Sequence, residues 1–245
     1  MQIEALKDLI HQLNSEMFEA SFGRRPERDS ASISTNEFPV HESVCHLDPR
    51  FDNESLLEKL RDLVTNPNGQ PRHIAVGHVI DEPSALQEVA QSVLVIGINY
   101  YQFPKTRYLG AKLCEQTNMR PKTQKVLRMG SVALQDRPLH LIASNIFPWV
   151  STKPWTEFGL NAYREMALLE VYGYRDPLGS LTKVAKSLKE SGILQGVIFH
   201  GIGSCVPYYA AAFARKWREG VPVFLSDNLA PAKGKDWGNF MRLTE

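Results

Sequence analysis

The stretch SVLVIGINYY at Ser92–Tyr101 decides the fold, because it is an apolar run without the strict alternation of a half-exposed strand. Such runs are typical of parallel strands that are buried on both faces. Two later runs have the same character and, like the first, lead into a polar loop or turn that carries an asparagine. They are LHLIASNIFPW at Leu139–Trp149 and PVFLSDNLAPAKGKDWGNF at Pro222–Phe240.

The three asparagines are Asn99, Asn145 and Asn228, which lie far apart in the sequence. Open α/β sheets build their binding sites outside the carboxyl ends of parallel strands. We therefore predict that the three amides converge on one crevice. The simpler alternative is that each asparagine only forms a turn, through a hydrogen bond from its side chain to the nearby backbone.

The rest of the chain alternates between strand and helix patterns. We predict strands at 93–98, 139–144, 195–200 and 221–226, and helices at 3–20, 56–63, 84–91, 157–172, 180–191 and 205–219. This order predicts an α/β fold with a central, mainly parallel four-stranded sheet and helices on both faces. We expect residues 1–85 to form an N-terminal helical extension with a polar loop, packed on a core formed by residues 86–245.

Composition narrows the class of protein. The chain has 245 residues and a formal net charge of +1, and its three cysteines form no CxxC pair. A disulfide framework and a four-cysteine metal site are therefore not expected. The apolar runs are all shorter than the roughly 18 residues that a membrane span needs. We expect a monomer of the cytoplasm, or of the nucleus in a eukaryote, with no membrane partner, no metal and no cofactor.

Charge is concentrated after the first apolar run. Residues 101–140 contain eight basic and two acidic side chains. Such a stretch is suited to a polyanion, for instance a nucleic-acid backbone. The alternative is a solvated loop whose charges pair with the acidic N-terminal part of the chain.

Four segments together resemble the uracil-DNA glycosylase superfamily over residues 85–245, and their first motif is similar to that of its mismatch-specific branch. They are GIN at Gly97–Asn99, ASNIFPW at Ala143–Trp149, GVIFHGIGSCVPYYAAAF at Gly196–Phe213 and NLAP at Asn228–Pro231. The chain departs from the family at Tyr100, where the family usually has proline, and at Leu229-Ala230, in place of Pro-Ser. The histidine that many relatives carry in the second motif is absent.

The resemblance implies a three-layer α/β/α fold and a monofunctional DNA N-glycosylase, a hydrolase that removes uracil or another deaminated or damaged base during base-excision repair. Its partner is then DNA, including single-stranded DNA. Asn99 would orient the attacking water through its carbonyl oxygen, since an amide has no useful proton affinity. Asn228 would donate to the base oxygen that gains charge.

Further site residues follow from the same resemblance. Asn145, with Gly97 and Ile98, would bind the base, because an amide offers both a donor and an acceptor to a pyrimidine edge. Tyr101 and Phe103 would stack on the base. Lys105, Arg107, Lys233 and Lys235 would contact phosphates. Alternatively, the aromatics belong to the core and the cations are solvated.

Two other interpretations stay open. A protein that kept this fold without the chemistry would bind nucleic acid, a nucleotide or a protein partner. LVIGINYY is also similar to the opening strand of caspase-like peptidases, and His200-Gly201 is similar to their histidine motif. Such peptidases need a histidine base and a nucleophilic cysteine on neighbouring strands. Cys205 follows His200 by only five residues, so the two do not come from separate strands. We interpret His200 as the end of a buried strand.

Overall fold

A computed structural model describes residues 1–22, 41–44, 73–76, 79–80, 88–101, 119–151, 177–201, 206–227, 229 and 239–244. The helices in these ranges are α1 (Ile3–Phe22), α2 (Met119–Met129), α3 (Pro177–Glu190) and α4 (Val206–Lys216). The strands are β1 (His41–Val44), β2 (His73–Val76), β3 (Val79–Ile80), β4 (Gln91–Tyr101), β5 (Leu139–Ser151), β6 (Leu194–His200), β7 (Val223–Ser226) and β8 (Phe240–Arg242).

The strands form a mixed sheet with the order β1-β2-β5-β4-β6-β7-β8, and β3 pairs with β5. The strands β5, β4, β6 and β7 are parallel to one another. The pairs of β8 with β7 and of β3 and β2 with β5 are antiparallel. The chain therefore has an α/β fold whose sheet is mostly parallel at its centre.

The winding direction of the chain reverses at β4. The chain passes from β4 to β5 on one side, then crosses back over β4 to β6 and continues to β7. Since crossovers between parallel strands are right-handed, such a reversal moves the connecting helices to the opposite face of the sheet. Accordingly, α2 packs on one face through Val126 and Leu127, whereas α1, α3 and α4 pack on the other.

Successive side chains of β4 divide between these two faces, as expected for a strand. Leu94 and Ile96 belong to the core beneath α1, α3 and α4, and Val93 and Val95 belong to the core beneath α2. Each of the four is at most 1% exposed. The absence of polar alternation in SVLVIG thus has a simple cause, which is that both faces of β4 are covered.

The larger core contains a chain of aromatic rings between β6 and α4. The ring centroids of Phe199 and Phe213 are 5.3 Å apart in an edge-on arrangement, and those of Phe213 and Trp217 are 5.3 Å apart in a stacked one. Helix α1 adds Leu6 and Ile10, both fully buried. Complete burial of a large apolar side chain contributes about 1.5–3 kcal/mol, so this face holds most of the packing energy.

On the opposite face, two glycines allow α2 to approach the sheet closely. A Cβ on Gly196 of β6 would lie 2.7 Å from Cδ2 of Leu127, and a Cβ on Gly130 would lie 2.2 Å from Cε1 of Phe224. The Arg242 guanidinium donates to the carbonyl of Gly130 at 3.1 Å. Because the last carbonyls of a helix lack intrahelical donors, this contact from β8 satisfies the C-terminal end of α2.

Helix α1 is attached to the sheet at its start. The amide of Val89 donates to the carbonyl of Met1 at 2.8 Å, and the Met1 ammonium donates to the carbonyl of Val89 at 3.0 Å. Further along, the Lys183 ammonium of α3 donates to the Glu16 carboxylate and lowers the pKa of that carboxyl below its usual range. This pair is exposed, so its contribution to stability is small.

The α/β class, the mainly parallel sheet and helices near 3–20, 180–191 and 205–219 agree with the sequence-based predictions. The predicted number of four strands is wrong, because short antiparallel strands extend the sheet on both sides. At one edge, β8 is partly exposed and has no continuous apolar pattern. A strand, β1, also lies inside the polar segment that was predicted to be a loop or partly extended.

Two helix predictions need correction. Glu88 pairs with Gln2 in a β-bridge and β4 begins at Gln91, so the carboxyl end of the predicted helix 84–91 is wrong. Helix α2 was not predicted, because its many basic residues leave only a short apolar stripe in its sequence. It occupies part of the stretch that was interpreted as a basic loop. The predicted helices 56–63 and 157–172 lie outside the described residues.

The packing of α2 is testable by truncating Leu127, which is fully buried against Gly196. Leu127→Ala should lower the free energy of unfolding by about 2–5 kcal/mol, because it removes transfer energy and leaves a cavity. Chemical denaturation measures the change. Met129→Ala on the same helix is the control; Met129 is 49% exposed, and its loss should stay within about 0.5 kcal/mol. Equal losses in the two variants would contradict this packing.

Candidate functional site

A row of four residues crosses the parallel strands on the face that carries α2. It consists of Asn145 on β5, Gly97 on β4, His200 on β6 and Ser226 on β7. Gly97 pairs with Asn145 in the strand register. His200 pairs with Ser226. The β4–β6 pairing brings Gly97 next to His200, as the contact between them shows. We call these four residues the polar row.

The row marks an abrupt change in the chemistry of this face. Two positions earlier on the same strands, Val95 pairs with Ala143 and with Ile198, and Ile198 pairs with Phe224. Since a strand returns to the same face every second residue, these apolar side chains lie directly beneath the polar row. The face therefore turns from apolar to polar in one step, at the carboxyl end of β6 and β7.

Gly97 is required by the close approach of two side chains. A Cβ at this position would lie 2.7 Å from Oδ1 of Asn145 and 2.9 Å from Nε2 of His200. Glycine inside a strand weakens it, and commonly marks a place where another group must come near the backbone. Here the missing side chain of β4 lets polar groups from β5 and β6 converge on one point.

The polar row is shielded from solvent. Asn145 is 3% exposed, His200 is 9% exposed and Ser226 is fully buried. Hydrogen bonds and charges are stronger in such surroundings than in water, since the local dielectric is low. Groups buried at this depth can discriminate sharply between ligands that do and do not satisfy them.

The backbone beside the row is fixed by hydrogen bonds between β6, β7 and β8. The amide of Gly201, which has a φ of 118°, donates to the carbonyl of Ser226 at 3.0 Å. The Ser226 hydroxyl donates to the carbonyl of Asp227 at 2.9 Å. The amide of Asp227 donates to the carbonyl of Asn239 at 3.0 Å. These hydrogen bonds therefore hold the end of β6 in place, at the point where His200 faces Gly97.

The position of the row in the topology is that of a ligand site. The winding of the chain reverses at β4, so the connections after β4 and β6 leave on opposite faces. Open α/β sheets bind ligands in the crevice that such a reversal creates outside the carboxyl ends of the strands. Gly97 and His200 lie on the two strands that flank this point.

The structure brings two of the predicted site residues together, Gly97 and Asn145. Asn99 lies two positions further along β4, opposite Phe147, and the register shifts between Asn99 and Tyr100. Ile98 and Tyr101 also belong to β4. The positions predicted for the remaining site residues lie outside the described residues; they are Phe103, Lys105, Arg107, Asn228, Lys233 and Lys235.

The expectation that Asn99 and Asn145 lie in loops after short strands is wrong. Both asparagines lie within strands, because β4 extends to Tyr101 and β5 to Ser151. The parallel ladder continues through them, since it is made by backbone groups and does not need apolar side chains. Asn145 is therefore held by a strand that continues beyond it.

Sequence reasoning missed His200 as a member of this group. The signal was present, because His200 follows the apolar run VIF at the carboxyl end of β6. The rule that drew attention to Asn145 applies equally to this histidine. What the sequence lacked was the lateral order of the strands, which puts β6 next to β4.

Within the part of the chain that the structure describes, no group of three or more histidine, cysteine, aspartate or glutamate residues could hold a metal ion. Among the same residues, no helix combines the length and the apolar character that crossing a bilayer requires. Comparisons with protein-family models, with curated protein sequences and with solved structures found no match. The family resemblance therefore stays a prediction.

Placing a methyl group at position 97 tests the geometry of the row. Gly97→Ala should displace the Asn145 amide and the His200 imidazole, and it should lower the free energy of unfolding by about 1–3 kcal/mol. We expect NMR resonances of the His200 imidazole to shift, while those of His140 stay unchanged. His140 is also buried, and it lies near the start of β5, before Asn145. Unchanged His200 resonances would show that the ring does not face Gly97.

Proposed function

We propose that the protein is a monofunctional DNA N-glycosylase, which removes uracil or another deaminated or damaged base from DNA. The observation that carries this proposal is the convergence of Asn145 and Gly97 at the level of the sheet where the neighbouring strands β6 and β7 end. These residues belong to two of the four segments that resemble the glycosylase superfamily. Segments far apart in the chain thus meet at one level of the sheet.

The architecture supports the finer proposal of a three-layer glycosylase-like fold. Helix α2 lies on one face of the sheet and α1, α3 and α4 on the other. Two of the parallel strands between these layers, β6 and β7, end at the polar row, whereas β4 and β5 continue beyond it.

The chemistry requires a base that has left the helical stack. A glycosylase holds the flipped nucleotide in a pocket and recognises the edge of the base by hydrogen bonds. The Asn145 amide has one acceptor and two donor hydrogens, which matches the alternating carbonyl and N–H groups of uracil. Its burial removes competing water, so a hydrogen bond to the base would form in surroundings of low dielectric.

Base removal breaks the bond between C1′ of deoxyribose and a ring nitrogen. The electron pair of that bond leaves with the base, and a water oxygen forms a new bond to C1′. The water loses one proton and the base gains one, so the products are an abasic sugar and the free base. In this proposal Asn99 orients the water through its carbonyl oxygen, two positions after Gly97 on β4. Asn228 donates to the departing base.

Helix α2 provides a surface for the DNA backbone. It contains Arg120, Lys122, Lys125 and Arg128 and no acidic residue, and it packs on the face that carries the polar row. Lys125 and Arg128 are exposed. Arg120 and Lys122, at the start of α2, lie nearer to the polar row than Arg128, because Leu127 packs on Gly196 near the start of β6. Cations there would position the strand through its phosphates. Lys105, Arg107, Lys233 and Lys235 extend this surface in the proposal, and Tyr101 and Phe103 stack on the base. The protein then acts as a monomer on DNA in the cytoplasm or nucleus.

An excision assay tests the proposal. The protein is incubated with labelled single- and double-stranded oligonucleotides that carry uracil, mismatched uracil or hypoxanthine, and alkali then cleaves abasic sites. We expect strand scission with the intact protein. Asn145→Ala and Asn99→Ala should each lower the single-turnover rate by about 10²–10³-fold, the usual effect of removing one positioned polar group.

The control removes an amide elsewhere. Gln12→Ala deletes an exposed amide on α1 and should leave the rate unchanged. A protein that binds the oligonucleotides without cutting any of them would have kept the fold and lost the chemistry, as the alternative interpretation holds. Such an outcome would falsify the enzymatic proposal.

A further inference from the structure

We propose that a cleft between α4 and the chain that follows β8 binds an amphipathic carboxylate, an anion with an elongated apolar body. The cleft has a volume of about 610 Å³, within the range of about 300–1,000 Å³ that is typical of small-molecule sites. Arg215 and Arg218 line it from α4 and the turn after it, and Leu243 and Thr244 line the other wall. This inference does not rest on the glycosylase function proposed above.

The cleft lies at the opposite end of the sheet from the polar row. Helix α4 starts after the end of β6 and finishes before the start of β7, so its last turn lies beside the starts of the parallel strands. The amide of Leu243 donates to the carbonyl of Val223, the first residue of β7, at 2.8 Å. The cleft and the polar row are therefore separate sites.

Small residues keep the cleft open. Ala211 and Ala214 line it on α4, and Gly220 lines it in the turn before β7. The Trp217 indole forms part of the wall, and its N–H donates to the carbonyl of Val221 at 2.8 Å, which ties the end of α4 to the start of the next segment. A cleft held in this way is preorganised, so a ligand loses little affinity to ordering of the protein.

The polar side chains that line the cleft present donors. The guanidinium groups of Arg215 and Arg218 have donors only. The Thr244 hydroxyl accepts from the amide of Val223 at 2.9 Å, so its own hydrogen remains to be donated. This set matches an anion, and the planar fork of an arginine matches both oxygens of a carboxylate.

The described part of the chain does not neutralise these two cations. Glu219 follows Arg218 directly, but its carboxylate is held by Lys189 at 2.8 Å and by Lys186 at 3.5 Å. The Arg218 guanidinium donates to the carbonyl of Trp217 at 3.3 Å, and neither arginine forms an ion pair with a described carboxylate. Since a helix end carries only about half a negative charge, the cleft keeps a net positive charge.

An apolar strip leads away from the arginines along both walls. Tyr208 is 57% exposed and precedes Ala211 by three positions, which puts it on the same face of α4. Met241 is 59% exposed and precedes Leu243 by two positions, which puts it on the same face of the extended chain. The carboxylate therefore lies by the arginines, and its apolar chain runs toward Tyr208 and Met241.

Titration with saturated carboxylates tests the proposal. NMR follows the indole N–H resonance of Trp217, which is assigned by its loss in Trp217→Phe. We expect decanoate to shift this resonance until it saturates, at concentrations at least about tenfold lower than hexanoate requires, because the longer chain buries more apolar surface. Decanol lacks the charge and acetate lacks the chain, so each should bind more weakly than decanoate.

Matched variants separate the cleft from general charge. Arg215→Ala and Arg218→Ala should each weaken decanoate binding by about three- to tenfold, because each removes a charge-assisted donor. Ala211→Leu places a larger side chain in the cleft and should weaken binding at least as much. Lys216→Ala removes an exposed cation of the same helix that does not line the cleft, and it should change binding by less than about twofold.

Three results would show that the inference is wrong. They are decanol binding as tightly as decanoate, Lys216→Ala weakening binding as much as Arg215→Ala, and a resonance that millimolar decanoate leaves unmoved. Sedimentation equilibrium adds a fourth, since a dimer that Arg215→Ala abolishes and decanoate disperses would place a second copy of the chain in the cleft. Base excision is assayed separately, so either proposal can fail alone.

Discussion

The absence of a side chain at position 97 is the constraint on which the candidate site depends. Without a Cβ on β4, Asn145 and His200 come within 3 Å of the same point from the strands on either side. Any larger residue would push these groups apart or bend the central strand. The glycine weakens β4 locally, and complete burial of Val93, Leu94, Val95 and Ile96 before it compensates.

The second constraint is the reversal of winding at β4. Among the described helices, α2 packs against one face and α1, α3 and α4 against the other, and the larger described core forms beneath the latter. The polar row lies on the side with the smaller core, where apolar packing ends one step before it. Rigidity and polarity are thus provided by different parts of the same strands. Buried polar groups stay in place because the apolar residues beneath them are closely packed.

In the proposed function, the same division would separate DNA binding from base recognition. Cations on α2 would act over a distance without discriminating between bases, whereas the buried amide of Asn145 would act only at contact. The two tasks have different requirements for solvent. Phosphate contacts tolerate water, but recognition of a flipped base gains from excluding it.

The sequence by itself determined that the core strands are parallel and buried, since runs such as Val93–Gly97 have no polar face. The apolar runs also singled out Asn145, because sites lie where such runs end, and Gly97 followed from the family resemblance. Only the tertiary structure decided that His200 joins them, that Asn99 and Asn145 lie within strands, and that edge strands such as β8 widen the sheet. The physical reason is that neighbours across a sheet are chosen by backbone hydrogen bonds between distant segments. Those bonds leave no pattern in the local order of side chains.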